Sequence, residues 1–457
     1  MDYSKIRKID CVKDNPNANL VQRTWMDYLN EESFHDFKAL IYPETNNNNY
    51  TFNNYDKIDK FYQAITDNII MTNDNKLIEE INPEIMLLKN EDKYEIKIDL
   101  KFNEQLSINR NNIISKENFP KNNILFLYID ELSRPHFFRK MKYLSRFLSK
   151  FNSNKNSSFE SFQFMKYQSF RNDYQNSGIQ TIFYETYPKT RRYKQNIHIL
   201  SLLKNMGYIT AQSANFCFKE FYPIEKEFNF FSKIEIEEYD HENIAMFCDP
   251  LFMKELDTPS IKKCLYGKNS FEYVLEYGYQ FWTKYPENKK FLRLSFLEGK
   301  EKTGEVIKYL DFYLYQFLDD LYQNKYLNNT IIFLASGQGN SYNNLFNSLD
   351  YLNYDFFIER HLGTFFILLD KEGLNITNDD LINLRNNQQN MITAYDIHET
   401  LKSIAENKFY KDMKQTKDIS YNTEDLGKNL FGYIDPFERN CSKYKQTNYG
   451  VCRCYDF

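Results

Sequence analysis

Apolar positions in this chain fall into short runs separated by helix-length stretches. The run Asn123-Ile124-Leu125-Phe126-Leu127-Tyr128-Ile129 is apolar after its first residue and stops at Asp130-Glu131-Leu132-Ser133-Arg134. A run of this length and content reads as a central strand buried on both faces. Similar runs are Phe162 to Tyr167, Tyr208 to Ala211, Lys290 to Leu297, Thr330 to Ala335 and Thr364 to Leu369. Between them, apolar residues recur at helical spacing over 137–151, 196–206, 271–285, 306–324 and 393–407. Gly207 stands where a C-cap belongs, Ser177 where an N-cap could open a helix, and Thr393 or Asp396 where the last helix starts. Alternating strands and helices predict an α/β fold: a mainly parallel sheet with helices on both faces. Earlier in the chain, 84–88 and 94–100 suggest a hairpin turning near Asn90-Glu91-Asp92. The expected organisation is a β-rich N-terminal region (1–118), an α/β core (119–410) and a Cys-containing C-terminal tail (411–457).

Composition changes this picture little. With 42% hydrophobic and 17% aromatic residues in 457, a large core is available and wholesale disorder is excluded. A net charge of −5 without a basic block leaves no electrostatic footprint for nucleic acid. No stretch reaches the ~18 apolar residues of a membrane span, and the first residues lack the apolar core of a signal peptide. The seven cysteines, Cys11, Cys217, Cys248, Cys264, Cys441, Cys452 and Cys454, read as scattered thiols or as disulfides of a secretory compartment. Sequons at Asn49, Asn156, Asn328, Asn375 and Asn440 suit a secreted glycoprotein, though an Asn-rich sequence also makes them by chance.

The candidate chemistry starts at Asp130. Open α/β sheets bind ligands at the carboxyl ends of their strands, where this carboxylate lies. It reads either as a metal ligand or as a carboxylate that caps a turn or pairs with Arg134. Glu131, Arg134 and His398 are further cleft candidates.

The order of several short segments resembles the alkaline phosphatase/sulfatase superfamily, and more narrowly the eukaryotic domain of unknown function 229 family. They include Ile129-Asp130-Glu131-Leu132-Ser133-Arg134, Asn176-Ser177-Gly178, Lys204 to Ala211, Tyr239-Asp240-His241, Tyr395-Asp396-Ile397-His398 and Gly427-Lys428-Asn429-Leu430-Phe431. The resemblance implies one or two divalent cations held by Asp and His at strand ends, and a Ser, Thr or modified Cys attacking phosphorus or sulfur. Carried over, Asp130 is the first metal ligand and Ser177 falls near the nucleophile. The family's Ser-Asp-His-Gly appears as Ser336-Gly337-Gln338-Gly339, and its Ser-His-Asp as Lys300-Glu301-Lys302. Glu301 keeps an oxygen ligand, Gln338 only a neutral one, and the flanking lysines oppose a cation.

Three readings follow. The first is a sulfatase/phosphatase-like protein with a degraded metal site, non-catalytic or weakly active. The second is a metal-dependent hydrolase or transferase of phospho- or sulfo-esters with one cation. The third is an extracellular scaffold or binding protein. The cofactor is one divalent cation (Zn, Ca, Mg or Mn) or none, and the expected partner is an anionic small molecule or a glycan. The resemblance points to the secretory pathway or extracellular space; the visible N-terminus leaves a cytoplasmic protein as the alternative.

Overall fold

A computed structural model describes residues 84–117, 122–168, 199–215, 239–243, 264–300, 306–337, 361–405 and 427–439, with short gaps inside some of these ranges. It also describes a few isolated residues and short strands outside them, among them Ile182, Phe183, Gly304 and Glu359. The N-terminal strands are β1 (Ile69–Met71), β2 (Ile85–Asn90) and β3 (Lys93–Ile98), followed by helix α1 (Glu104–Glu117). The core opens with β4 (Asn123–Ile129), α2 (Arg134–Lys140), α3 (Lys142–Ser149), β5 (Phe159–Gln163) and β6 (Lys166–Gln168). It continues with α4 (Ile199–Asn205), β7 (Ile209–Ala214), β8 (His241–Asn243), α5 (Ser270–Lys284), β9 (Lys290–Phe296) and α6 (Ile307–Gln323). It closes with β10 (Thr330–Ala335), β11 (Phe365–Asp370), α7 (Asn378–Asn387), β12 (Met391–Thr393) and α8 (Ala394–Ala405).

Seven strands form the central sheet in the order β8-β7-β9-β4-β10-β11-β5. Strands β8, β7, β9, β4 and β10 are parallel neighbours; β11 pairs antiparallel with both β10 and β5, so it alone runs against the rest. The expected mainly parallel sheet is therefore present, with β4 at its centre. Every residue from Ile124 to Ile129 is at most 2% exposed. Alternation sends Leu125, Leu127 and Ile129 into one core with α2, α3, α5 and α6, and Ile124, Phe126 and Tyr128 into another with α4, α7 and α8. Each such side chain contributes about 1.5–3 kcal/mol through the apolar area it removes from water.

Local chemistry sets the boundaries. Apolar residues Ile307, Leu310, Leu314, Phe317, Leu318 and Leu321 give α6 one buried stripe. Gly207, at φ +82°, ends α4, where a side chain would be strained and would also strike Ile114 of α1. The helix expected over 137–151 is two helices. Asp311 of α6 accepts the backbone N–H groups of Tyr143 and Leu144, both at 2.8 Å, and so starts α3 as a separate helix. The strand expected over 162–167 is also divided: β5 joins the large sheet, while β6 pairs with β12.

Two fasteners hold the outlying segments. At the start of the sheet, Asp240 accepts from Arg110 of α1 (3.0 Å) and from the Thr210 N–H (2.9 Å). Beside it, His241 bridges Glu84 and the Tyr285 hydroxyl, each at 2.8 Å. The Asn103 N–H also donates to the Tyr285 oxygen, at 2.9 Å. Residues 427–434 lie across α7 and α8. Asn383, Asn387 and Asn390 donate to the carbonyls of Phe431, Leu430 and Ile434. Asp396 receives Thr393 N–H and Lys428 N–H (both 2.7 Å) and Arg439 Nη2 (2.6 Å).

Candidate functional site

The carboxyl ends of β4, β7, β9 and β10 meet at one edge of the sheet. Asp130 follows β4, and its N–H donates to the Phe296 carbonyl of β9 at 2.9 Å. Tyr128 and Asp130 are two residues apart on an extended backbone and share a face. The Tyr128 hydroxyl donates to Asp130 Oδ1 at 2.9 Å. Gly337 follows β10. A Cβ on it would lie 2.1 Å from the Tyr128 hydroxyl oxygen and 3.4 Å from Asp130 Oδ1. The Tyr128 hydroxyl therefore fills the space into which a side chain at 337 would project.

Strand β9 ends in the short turn Glu298–Lys300. Gly299 lies flat on β4's end, for a Cβ there would sit 2.1 Å from the Asp130 carbonyl oxygen. Lys300 reaches back over it, Nζ being 3.8 Å from Asp130 Oδ2 and 4.0 Å from Glu131 Oε1. Glu131 is 2% exposed and has φ +53°, a left-handed conformation that costs a non-glycine residue about 1–2 kcal/mol. Such strain persists only where surrounding contacts impose it.

Glu298 is buried between three elements. Its Oε1 accepts from Asn215 Nδ2 (2.6 Å), just past β7, and from Ser270 Oγ (3.5 Å) at the start of α5. Its Oε2 has no hydrogen-bond partner among the described residues. Burial pushes its carboxyl up to about 7. Asn215 Oδ1 accepts the Leu297 N–H at 3.1 Å, which closes the joint between β7 and β9.

The turn after Asp130 is pinned as well. Ser133 caps α2 by accepting the His136 N–H at 3.1 Å, and it donates to Glu359 Oε2 at 2.5 Å. Glu359 also pairs with Arg139 at 2.5 Å. Arg134 Nη1 donates to the Met165 carbonyl at 2.7 Å. His136 Nε2 carries the hydrogen and donates to the Gly304 carbonyl at 2.8 Å, while Nδ1 accepts from Arg139. Burial, then the Arg139 charge, lowers the His136 pKa to about 4, so the ring stays neutral through the physiological range.

Of the residues singled out in the sequence, Asp130 and Glu131 stand together at the end of β4, and Arg134 starts the adjacent helix. Ser177, Glu301 and Gln338 lie outside the described residues, as do the side chains of all seven cysteines. His398 is buried on α8, where Nδ1 donates to the Ile182 carbonyl at 2.8 Å. His241 is also buried, at 7% exposure, and opens strand β8, where it clasps Glu84. Among the described residues no three His, Cys, Asp or Glu side chains converge closely enough to hold a metal ion. Sequence reasoning missed Tyr128, Asn215 and Glu298. The period-2 geometry of a strand signals Tyr128, two residues before Asp130. The other two are joined by tertiary contacts that no local pattern encodes.

Residues 251–456 match the family model described as Protein of unknown function (DUF229). Comparison with curated proteins finds no match. Solved structures to which the chain is similar include the C-terminal periplasmic domain of EcEptC from Escherichia coli in complex with Zn. That pair has 13% identity over 63% of this chain and 84% of the other, with a TM-score of 0.41. A protein in the alkaline phosphatase superfamily from Vibrio parahaemolyticus has 14% identity over 67% and 76%, with a TM-score of 0.40. The lipoteichoic acid synthase LtaP from Listeria monocytogenes has 12% identity over 57% and 71%, with a TM-score of 0.36. Residues 251–456, a segment that includes Tyr395-Asp396-Ile397-His398 and Gly427-Lys428-Asn429-Leu430-Phe431, thus match the DUF229 family that these motifs resemble.

Proposed function

We propose that this protein keeps a sulfatase/phosphatase-like fold without metal-assisted ester hydrolysis, and acts by binding an anionic small molecule or a glycan. One observation carries this reading: the Tyr128 hydroxyl is hydrogen-bonded to Asp130 and occupies the space that a side chain at 337 would need. Metal-assisted transfer needs several oxygen or nitrogen donors converging on open coordination positions. Here one Asp130 oxygen receives a hydroxyl, the other faces an ammonium, and Gly337, two residues past β10, has no side chain. The donor set present does not fit a catalytic cation.

The test is hydrolysis of 4-nitrophenyl phosphate and 4-nitrophenyl sulfate by the full chain, with metal content measured in parallel. The expected result is substoichiometric metal and no turnover above buffer. Stoichiometric zinc, manganese, magnesium or calcium with turnover lost in Asp130→Ala overturns the reading in favour of a one-metal hydrolase. The same reading takes the protein through the secretory pathway. Asn328 is exposed in the turn between α6 and β10. Expression in a secreting eukaryotic host then yields a mass shift on amidase deglycosylation that Asn328→Gln reduces.

A further inference from the structure

Two neighbouring carboxylates at the end of the central, buried strand need a counter-charge. Asp130 and Glu131 are both mostly shielded, with side chains 16% and 2% exposed, and Lys300 lies within 4.0 Å of each. Three features deliver that lysine. Gly299 lets the turn lie against the Asp130 carbonyl, an approach that any side chain would block. Glu298 anchors the start of the turn to Asn215 and Ser270. Gly304, four residues beyond Lys300, accepts a hydrogen bond from His136 through its carbonyl at 2.8 Å. The left-handed backbone at Glu131 is a further cost borne where its carboxylate lies near this ammonium.

We infer that Lys300 is an internal counter-cation, built into the β9 turn, that neutralises the Asp130–Glu131 pair and excludes divalent metal ions from it. The inference rests on the proposed loss of metal-assisted catalysis and says what replaced the metal. An ammonium is a point charge with three donors, and it serves two carboxylates without the fixed ligand geometry a metal demands. It also repels an arriving cation at short range, so its removal converts a filled site into an acidic one.

The experiment is calorimetric titration of the full chain with manganese chloride. Lys300→Met is expected to bind one manganese ion about tenfold or more tighter than wild type, the gain that removing one close positive charge gives a divalent ion. Lys300→Arg keeps the charge and is expected to match wild type. Asp130→Asn in the Lys300→Met background is expected to abolish the gain. Equal affinity in wild type and Lys300→Met overturns the inference, as does a gain that survives Asp130→Asn. If Lys300→Met fails to fold, Lys300→Gln keeps a polar group in the same place and is read by the same criterion. The outcomes separate from those above: ester hydrolysis by metal-loaded wild type defeats the proposed function, whereas a Lys300→Met protein that takes no manganese defeats only this inference.

Discussion

Asp130 and Asp396 look alike in the sequence. Each stands where a strand gives way to a helix. Their surroundings differ sharply. Asp396 is fully buried and saturated, receiving the Thr393 N–H and hydroxyl, the Lys428 N–H and the Arg439 guanidinium. Asp130 takes the Tyr128 hydroxyl at hydrogen-bonding distance, while Lys300 stays 3.8 Å away in a partly wet edge. A saturated buried carboxylate is a joint: it fastens residues 427–439 to α8. A carboxylate held at looser range is a group whose partners can be exchanged. The same residue type at the same kind of boundary therefore makes a saturated joint in one place and a looser contact in the other.

The comparison breaks most visibly at the joint. Arg439→Ala leaves Asp396 charged and buried without its counter-ion, and is expected to cost about 3–5 kcal/mol in urea denaturation. A loss below about 1 kcal/mol would make Asp396 no more structural than Asp130.

Next in size is a pH effect between the two sites. The folded-state value of Glu298, about 7, lies above its ordinary 4.5. Between these values the folded state holds the proton and the unfolded state does not, so stability falls as pH rises from about 4.5 to about 7 and then levels. The loss should reach about 2–3 kcal/mol at pH 8 and vanish in Glu298→Gln, as chemical denaturation at pH 5 and pH 8 measures. A wild type equally stable at both values on this account would dismiss the buried acid.

Smaller again is the steric test. Gly337→Ala drives a methyl onto the Tyr128 oxygen and should lower stability by about 1–3 kcal/mol. In a Tyr128→Phe background the added penalty should shrink, read as a thermal shift across the double-mutant cycle. Additive effects would mean that the hydroxyl does not fill that space. Smallest is Asp130→Asn, which keeps the shape and removes only a loose pair at 3.8 Å, with Glu131 still facing Lys300. It should change stability by less than about 1 kcal/mol, and an effect as large as that of Arg439→Ala would erase the contrast.

The apolar runs told the core strands apart well because each is buried on both faces, as β4, β9 and β10 are. Helices with one apolar stripe, such as α5 and α6, were equally legible. Helix α1 was not: its stretch Glu104 to Glu117 is mostly polar, and it is held by Arg110 on Asp240 and by Ile114 on Gly207. Nor was the break between α2 and α3, which is made by Asp311, more than 160 residues later in sequence. At the candidate site the same division holds. Asp130 and Glu131 announce themselves by ending an apolar run. That Lys300 faces them, that Gly299 permits it and that Glu298 is buried beside it depend on how β9 and β4 register.

The docking of residues 427–439 also has a consequence for synthesis. Leu430, Phe431 and Ile434 complete one of the two cores, and Arg439 completes the charge balance of Asp396. Domains begin to fold as the chain emerges, at about 5–20 residues per second. Helix α8 leaves the ribosome with Asp396 uncompensated and a strip of apolar surface uncovered, and it stays so until the segment more than twenty residues downstream follows. The vulnerable interval thus opens once α8 has emerged, and it ends when a single arginine arrives.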